Sequence, residues 1–191
     1  MRTIINYIIN MLPYMLISVP VFLIVRYFLL KKRGGKINRY HEIALLLLVM
    51  FSVGLASQAI IPKFEFGVGG FHIIKDRVHT TNLVPFKVVG QTYREAFVYG
   101  HINYFIINFL GNIIMFMPFG FAIPLLWKIE GKKVILIGLC CSCFIEFCQL
   151  FLSRGTDVDD LMLNTLGTAL GYLLYKLFEK KYGQLAAKFK L

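Results

Sequence analysis

Residues 104–127 read YFIINFLGNIIMFMPFGFAIPLLW, 24 residues without a charged side chain. At about 1.5 Å rise per residue, a helix of this length spans roughly 36 Å, more than the hydrocarbon core of about 30 Å. Working outward, comparable apolar blocks cover about 7–30, 42–61, 133–152 and 160–178. The pattern predicts an all-α polytopic membrane helix bundle of about five transmembrane helices. The composition agrees. The chain is 58% hydrophobic and only 16% charged, whereas soluble domains carry about a quarter charged residues.

The formal net charge of +11 does not point to nucleic acid, because the bases sit beside apolar blocks, as headgroup contacts and orientation signals do. Lys31, Lys32, Arg33, Lys36 and Arg39 occupy the first connection, and Lys128, Lys132 and Lys133 the third. Lys176, Lys180, Lys181, Lys188 and Lys190 cluster at the end of the chain. These three regions alternate across the membrane, so the positive-inside rule predicts an external N-terminus and a cytoplasmic C-terminus. The long second connection, and the short one carrying Arg154, are then external. The N-terminal block has one early base, Arg2, and is interrupted by Pro13, Pro20 and Arg26. It reads as a retained span with kinks at the prolines and Arg26 snorkelling to the headgroups.

Three regions follow from this layout. Residues 1–62 hold two helices and a basic cytoplasmic loop, 63–178 an outer segment plus three helices, and 179–191 a basic cytoplasmic tail. Residues 63–103 are too apolar for a free loop, and Gly67 to Gly70 and Pro85 break them into pieces. They are expected to form a structured segment on the outer leaflet. Cys140, Cys141, Cys143 and Cys148 share one apolar run without zinc-site spacing, and read as free thiols behaving as small hydrophobes. His41, His72, His79 and His101 are scattered along the chain. No metal or cofactor is expected.

The polar residues inside the spans are informative because ionisable groups at membrane depth are costly. Asn108 and Asn112, four apart, share a helical face, as do Glu146 and Gln149, three apart. Glu146 lies six residues before the outer end of its span, roughly 9 Å inward. In the last span Asp160, Asn164, Gly167 and Gly171 mark one stripe. Asparagines serve as interhelical glue, and Gly167 with Gly171 form a close-packing motif. Asp157 followed by Asp160 fits the start of a helix. Arg154 either neutralises the adjacent aspartates or receives an oxyanion. An oxygen-liganded cation on Asp157, Asp159, Asp160 and Glu146 is the weaker alternative.

Three segments taken together carry a family pattern: NLVPF at 82–86, NFLGNIIMFMPFGFAIPLL at 108–126, and IEFCQLFLSRGTDVDDLMLNTLGTALGYLL at 145–174. Their ordered set resembles the VanZ-like family over roughly the last two-thirds of the chain. The resemblance implies a small bacterial cell-membrane protein of the cell envelope. It also implies a link to antibiotic resistance, the founding member being associated with low-level resistance to teicoplanin. Asn82, Asn112, Glu146, Gln149, Arg154, Asp157, Asp159, Asp160 and Asn164 fall on motif positions, and Asn108 opens the second segment. These are the expected ligand-binding residues. The leading expectation is a non-catalytic lipid-binding protein that takes an amphiphile at the outer leaflet, either a teicoplanin-type lipoglycopeptide or a lipid-linked cell-wall precursor. Phe109, Phe116, Phe119, Phe147 and Phe151 are the expected walls for its tail. The alternative is an intramembrane enzyme modifying a lipid carrier, with Glu146 as general acid or base.

Overall fold

Gly120, Gly167 and Gly171 determine how closely the two central helices approach. In the computed structural model, helix α5 (Gly111–Leu126) and helix α7 (Val158–Lys181) cross with their backbones in contact. A Cβ added at Gly120 would collide with the Thr168 carbonyl, one at Gly167 with the Ile113 carbonyl, and one at Gly171 with the Met117 carbonyl. The glycine stripe is thus a packing surface, as its small-x-x-x-small spacing predicts. Helix α6 (Gly131–Phe151) closes on the same pair, its Gly138 seated against the Thr168 side chain.

The structure describes residues 2–34, 37–61, 63–67, 70–74, 81–152 and 155–191. Helices α1 (Arg2–Arg33) and α2 (Arg39–Ala59) pack against each other. Helix α1 continues through Pro13 and Pro20, where kinks were expected. Arg26 does not simply snorkel: its guanidinium makes two hydrogen bonds to the Glu42 carboxylate, at 2.6 and 2.7 Å. At the edge of a low-dielectric region, pairing removes the cost of leaving either charge alone. Gly54 of α2 receives Met11 and Met15 of α1.

Four helical segments among the described residues are long and apolar enough to cross a membrane: Ile8–Lys32, Arg39–Ala59, Ile102–Leu126 and Gly131–Phe151. Helix α7, 24 residues long, matches them in length. Its apolarity is lower because its Gly, Thr and Asn positions face α5 and α6 rather than lipid. The protein is a multi-pass membrane helix bundle.

The connection after α2 is structured. Strands β1 (Lys63–Gly67) and β2 (Gly70–Ile74) form an antiparallel hairpin. Strand β3 (Thr81–Asn82) pairs in parallel with β4 (Thr156–Asp157) from the connection after α6. Helix α3 (Lys87–Phe97) follows, then a short helix α4 (Ile102–Phe105) that runs into α5 through a π-helical turn, Ile106–Leu110. At the opposite end the basic tail folds back as α8 (Gly183–Phe189). Asn38 donates to the Lys188 carbonyl at 2.9 Å, and the buried His41 ring nitrogen Nδ1 lies 2.9 Å from the Phe189 carbonyl. Lys190 reaches Glu179 at 2.7 Å. Together with Tyr175 and Lys176, it lowers the Glu179 carboxyl to about 2.

The glycine contact predicts a position-specific effect. Gly171→Leu should lower thermal stability in mild detergent by about 1–3 kcal/mol or more, through overpacking against a backbone that cannot yield. Gly90→Ala in α3, where nothing lies within 4 Å of the added carbon, should change stability by no more than about 1 kcal/mol, in the stabilising direction. Equal unfolding temperatures for the two variants would refute the close crossing.

Candidate functional site

Asp159 is fully buried, and its carboxylate organises the mouth of the bundle. Its Oδ1 accepts from the Phe86 amide at 2.5 Å, and its Oδ2 from Val88 and Val89 at 2.8 and 3.0 Å. Phe86 is the N-cap of α3 and Val88 and Val89 lie in its first turn, where helical N–H groups have no partner within their own helix. The helix cannot cap itself, because the residue before it is Phe86, which lacks a capping side chain and sits at φ 63° and ψ 5°. That is the third position of a type II turn with Pro85 at the second, a conformation costly for a residue with a Cβ. A buried carboxylate accepting three amides offsets that strain and ties α3 to the start of α7.

Asn82 and Asp157 complete the scaffold. The Asn82 amide group donates to Asp157 Oδ1 at 3.0 Å, and its carbonyl accepts from Val84 N–H at 3.2 Å. Asp157 caps α7 by accepting from the Asp159 amide at 2.9 Å, as its place before the helix predicts. Asp160, three residues on, turns instead to α5, where Asn112 donates to its Oδ1 at 2.5 Å. The backbone N–H of Asp157 donates to Glu146 Oε2 at 3.0 Å, linking α6 to the same junction.

Beneath this junction lies a cavity of about 560 Å³. Asn112, Glu146, Gln149, Asp160 and Asn164 all line it, so three helices bring their polar groups to one place. Glu146 and Asn164 are each 5% exposed. Asn164 donates to the Ser142 hydroxyl at 2.8 Å, and Gln149 to the Ala59 carbonyl at 3.3 Å. Among the described residues, the side-chain oxygens of Gln149 and Asn164 are buried without a hydrogen-bond partner. In a helical membrane protein, acceptors left open beside a cavity are costly unless something fills it.

The remaining candidates lie elsewhere. Asn82, Asp157 and Asp159 serve the scaffold above the cavity, and Asn108 donates to the Tyr104 carbonyl one turn back. Arg154 lies outside the described residues. With Asp159 taken up by three amides, the weaker cation arrangement has lost one of its four ligands. Among the described residues no three His, Cys, Asp or Glu side chains gather as an ion site.

The expected aromatic walls are only partly in place. Phe116 lines the cavity and is buried, and Phe119 packs on Phe51 and Phe116. Phe109 stacks on Phe105. Phe147 and Phe151 pack edge-to-face on the exposed side of α6. One residue past the inward Glu146 is about 100° around the helix, and Phe151 follows Phe147 by one turn. The apolar wall comes instead from Ile8, Met11 and Met15 of α1, Phe51 and Leu55 of α2, and Met115 of α5. The first two helices read as generic hydrophobic spans in sequence, so this contribution had no local signal. The π-helical turn at Ile106–Leu110 also went unforeseen, although Ile106 and Ile107 line the cavity. Such turns recur at functional sites.

Comparison with known proteins bears on this geometry. The family profile described as VanZ/LLP1 matches residues 43–179, a segment that includes the polar lining and its Asp159 scaffold. The chain belongs to the VanZ/LLP1 family. Protein VanZ from Enterococcus faecium is 32% identical over 107 residues, 54% of this chain and 56% of that protein. The match thus spans little more than half of that relative's length. No solved structure matches the chain. The VanZ/LLP1 region takes in all of α5, α6 and the cavity-lining part of α7, and excludes α1, which supplies one wall.

The scaffold generates its own test. Asp159→Ala should release the first turn of α3, removing up to three charge-assisted hydrogen bonds worth about 1.5–3 kcal/mol each. Hydrogen exchange at Phe86, Val88 and Val89 should accelerate strongly while α5 and α6 stay protected. Unchanged protection of α3 would rule out the carboxylate as its cap.

Proposed function

We propose that this VanZ/LLP1 protein is a non-catalytic binding protein whose cavity receives the head of an amphiphile at the outer leaflet. The observation that carries this reading is the cavity itself. Apolar side chains from α1, α2 and α5 form most of its wall, and two carboxylates and three carboxamides collect on α5, α6 and α7. Mostly apolar walls with a few convergent polar groups are the general character of small-molecule sites. Open acceptors on Gln149 and Asn164 give a ligand hydrogen bonds to make. The distribution of Lys and Arg supports an external position for the cavity mouth, with the N-terminus outside and the C-terminus and α8 in the cytoplasm.

The ligand is a teicoplanin-type lipoglycopeptide or a lipid-linked cell-wall precursor, whose capture would contribute to glycopeptide resistance without breaking a bond. The competing reading, an intramembrane enzyme acting on a lipid carrier, draws on one specific observation. Glu146 is buried at the cavity and accepts from the Asp157 amide, an arrangement a general acid or base could use.

The two readings rank the same variants in opposite order. For a binder, Glu146→Gln keeps shape and most hydrogen bonding, and teicoplanin resistance should fall only modestly. Asn164→Leu, which removes an acceptor and fills space, should reduce it further. For an acid–base enzyme, Glu146→Gln should abolish activity, a loss of about 10²- to 10⁴-fold. The measurement is teicoplanin susceptibility of a sensitive host at equal membrane expression, with native mass spectrometry of each variant for co-purifying lipid. Complete loss of resistance in Glu146→Gln with lipid still bound would replace the binder by the enzyme.

A further inference from the structure

We infer that the cavity opens sideways into the bilayer between α1 and the start of α5, and that its occupant is a bilayer lipid whose chain lies in this opening. The inference rests on the amphiphile-binding reading above and adds the route and the ligand's source. Ile8 of α1, Ile107 of the π-helical turn and Ile114 of α5 all line the cavity. The same three side chains are 54%, 38% and 57% exposed. In a membrane-spanning bundle, such exposure at apolar positions is exposure to lipid. A wall that lines a cavity and faces lipid is the edge of a lateral opening.

The rest of the wall fits a mobile hydrocarbon chain. Met11, Met15 and Met115 are unbranched and adaptable, suited to a chain without fixed shape. Met11 and Met15 rest where Gly54 has no side chain, so α1 sits close to α2, and Ile8, three residues before Met11 on the same helical face, borders the opening. Inward of the opening stand Glu146, Gln149, Asp160 and Asn164, so a chain entering between the isoleucines places its head among them. Among the described residues no Lys, Arg or His lines the cavity. The described groups that meet the lipid's head are the carboxylates of Glu146 and Asp160 and the carboxamides of Asn112, Gln149 and Asn164.

The test uses the full chain in lipid nanodiscs containing phosphatidylethanolamine with a photoactivatable diazirine in its acyl chain. Labelled residues are mapped by mass spectrometry. In the unmodified chain, label is expected on the interior residues Phe116 and Glu146 as well as on the lipid-facing Phe144. Ile8→Trp and Ile114→Trp each place a bulky ring in the opening at a largely exposed position, and each should abolish interior label while Phe144 label persists. Leu16→Trp, equally exposed on α1 but off the cavity wall, should leave interior label unchanged. Interior label that survives both plugs would overturn the lateral opening and leave the binding reading in place. If the unmodified chain carries label on Phe144 but none on Phe116 or Glu146, entry of a bilayer lipid is overturned, while the binding reading is decided by the teicoplanin susceptibility of the variants above.

Discussion

Backbone contact between α5 and α7, permitted by glycine at three positions, fixes the geometry on which the rest of the molecule depends. Lipid tails are as apolar as leucine, so a membrane bundle gains little from burying one apolar face against another. Close approach gains dispersion contacts instead, and it also sets the register. With Gly167 against the Ile113 carbonyl and Gly171 against that of Met117, the two helices run in the same direction and their first turns stay close enough for Asn112 to reach Asp160. The hydrogen bond between these two side chains follows from that register.

From this register the polar end of the bundle assembles as a chain of contacts across the connections. Glu146 holds the backbone just before α7, Asp157 caps α7 and holds Asn82, and Asp159 caps α3. Each carboxylate accepts from groups that would otherwise be unsatisfied in a poorly hydrated environment. The acidic run at 157–160 thus divides its work. Two aspartates build the scaffold, and the third faces the cavity with Glu146. A solvent-exposed acidic loop could tolerate a loss here, whereas at the membrane edge each unpaired amide is costly.

Much of this architecture was legible from residue order. Long uncharged runs at the length of a bilayer predict spanning helices, and the glycine spacing predicts their close packing. Residues three and four apart predict which polar groups share a face. The ordered motifs predict the family, which the match over residues 43–179 establishes. Helical periodicity also implies that, with Glu146 inward, Phe147 and Phe151 point outward. That rotation turns both rings away from the cavity wall.

What the sequence by itself determined is therefore the helical, membrane-spanning character of the chain and the shared faces and similar depth of Asn112, Glu146, Gln149 and Asn164 on their own helices, because both follow from fixed rise and fixed turn. Only the tertiary structure decided that Asp159 is a cap for a distant helix, since its partners are backbone amides 70 to 73 positions away, and amides have no sequence signature. It alone decided that α1 and α2 supply a cavity wall, because a methionine facing lipid and one facing a cavity are chemically identical in the chain. Spacing along one helix is local and can be read. Contact between helices depends on their relative rotation and register, which a generic apolar segment does not encode.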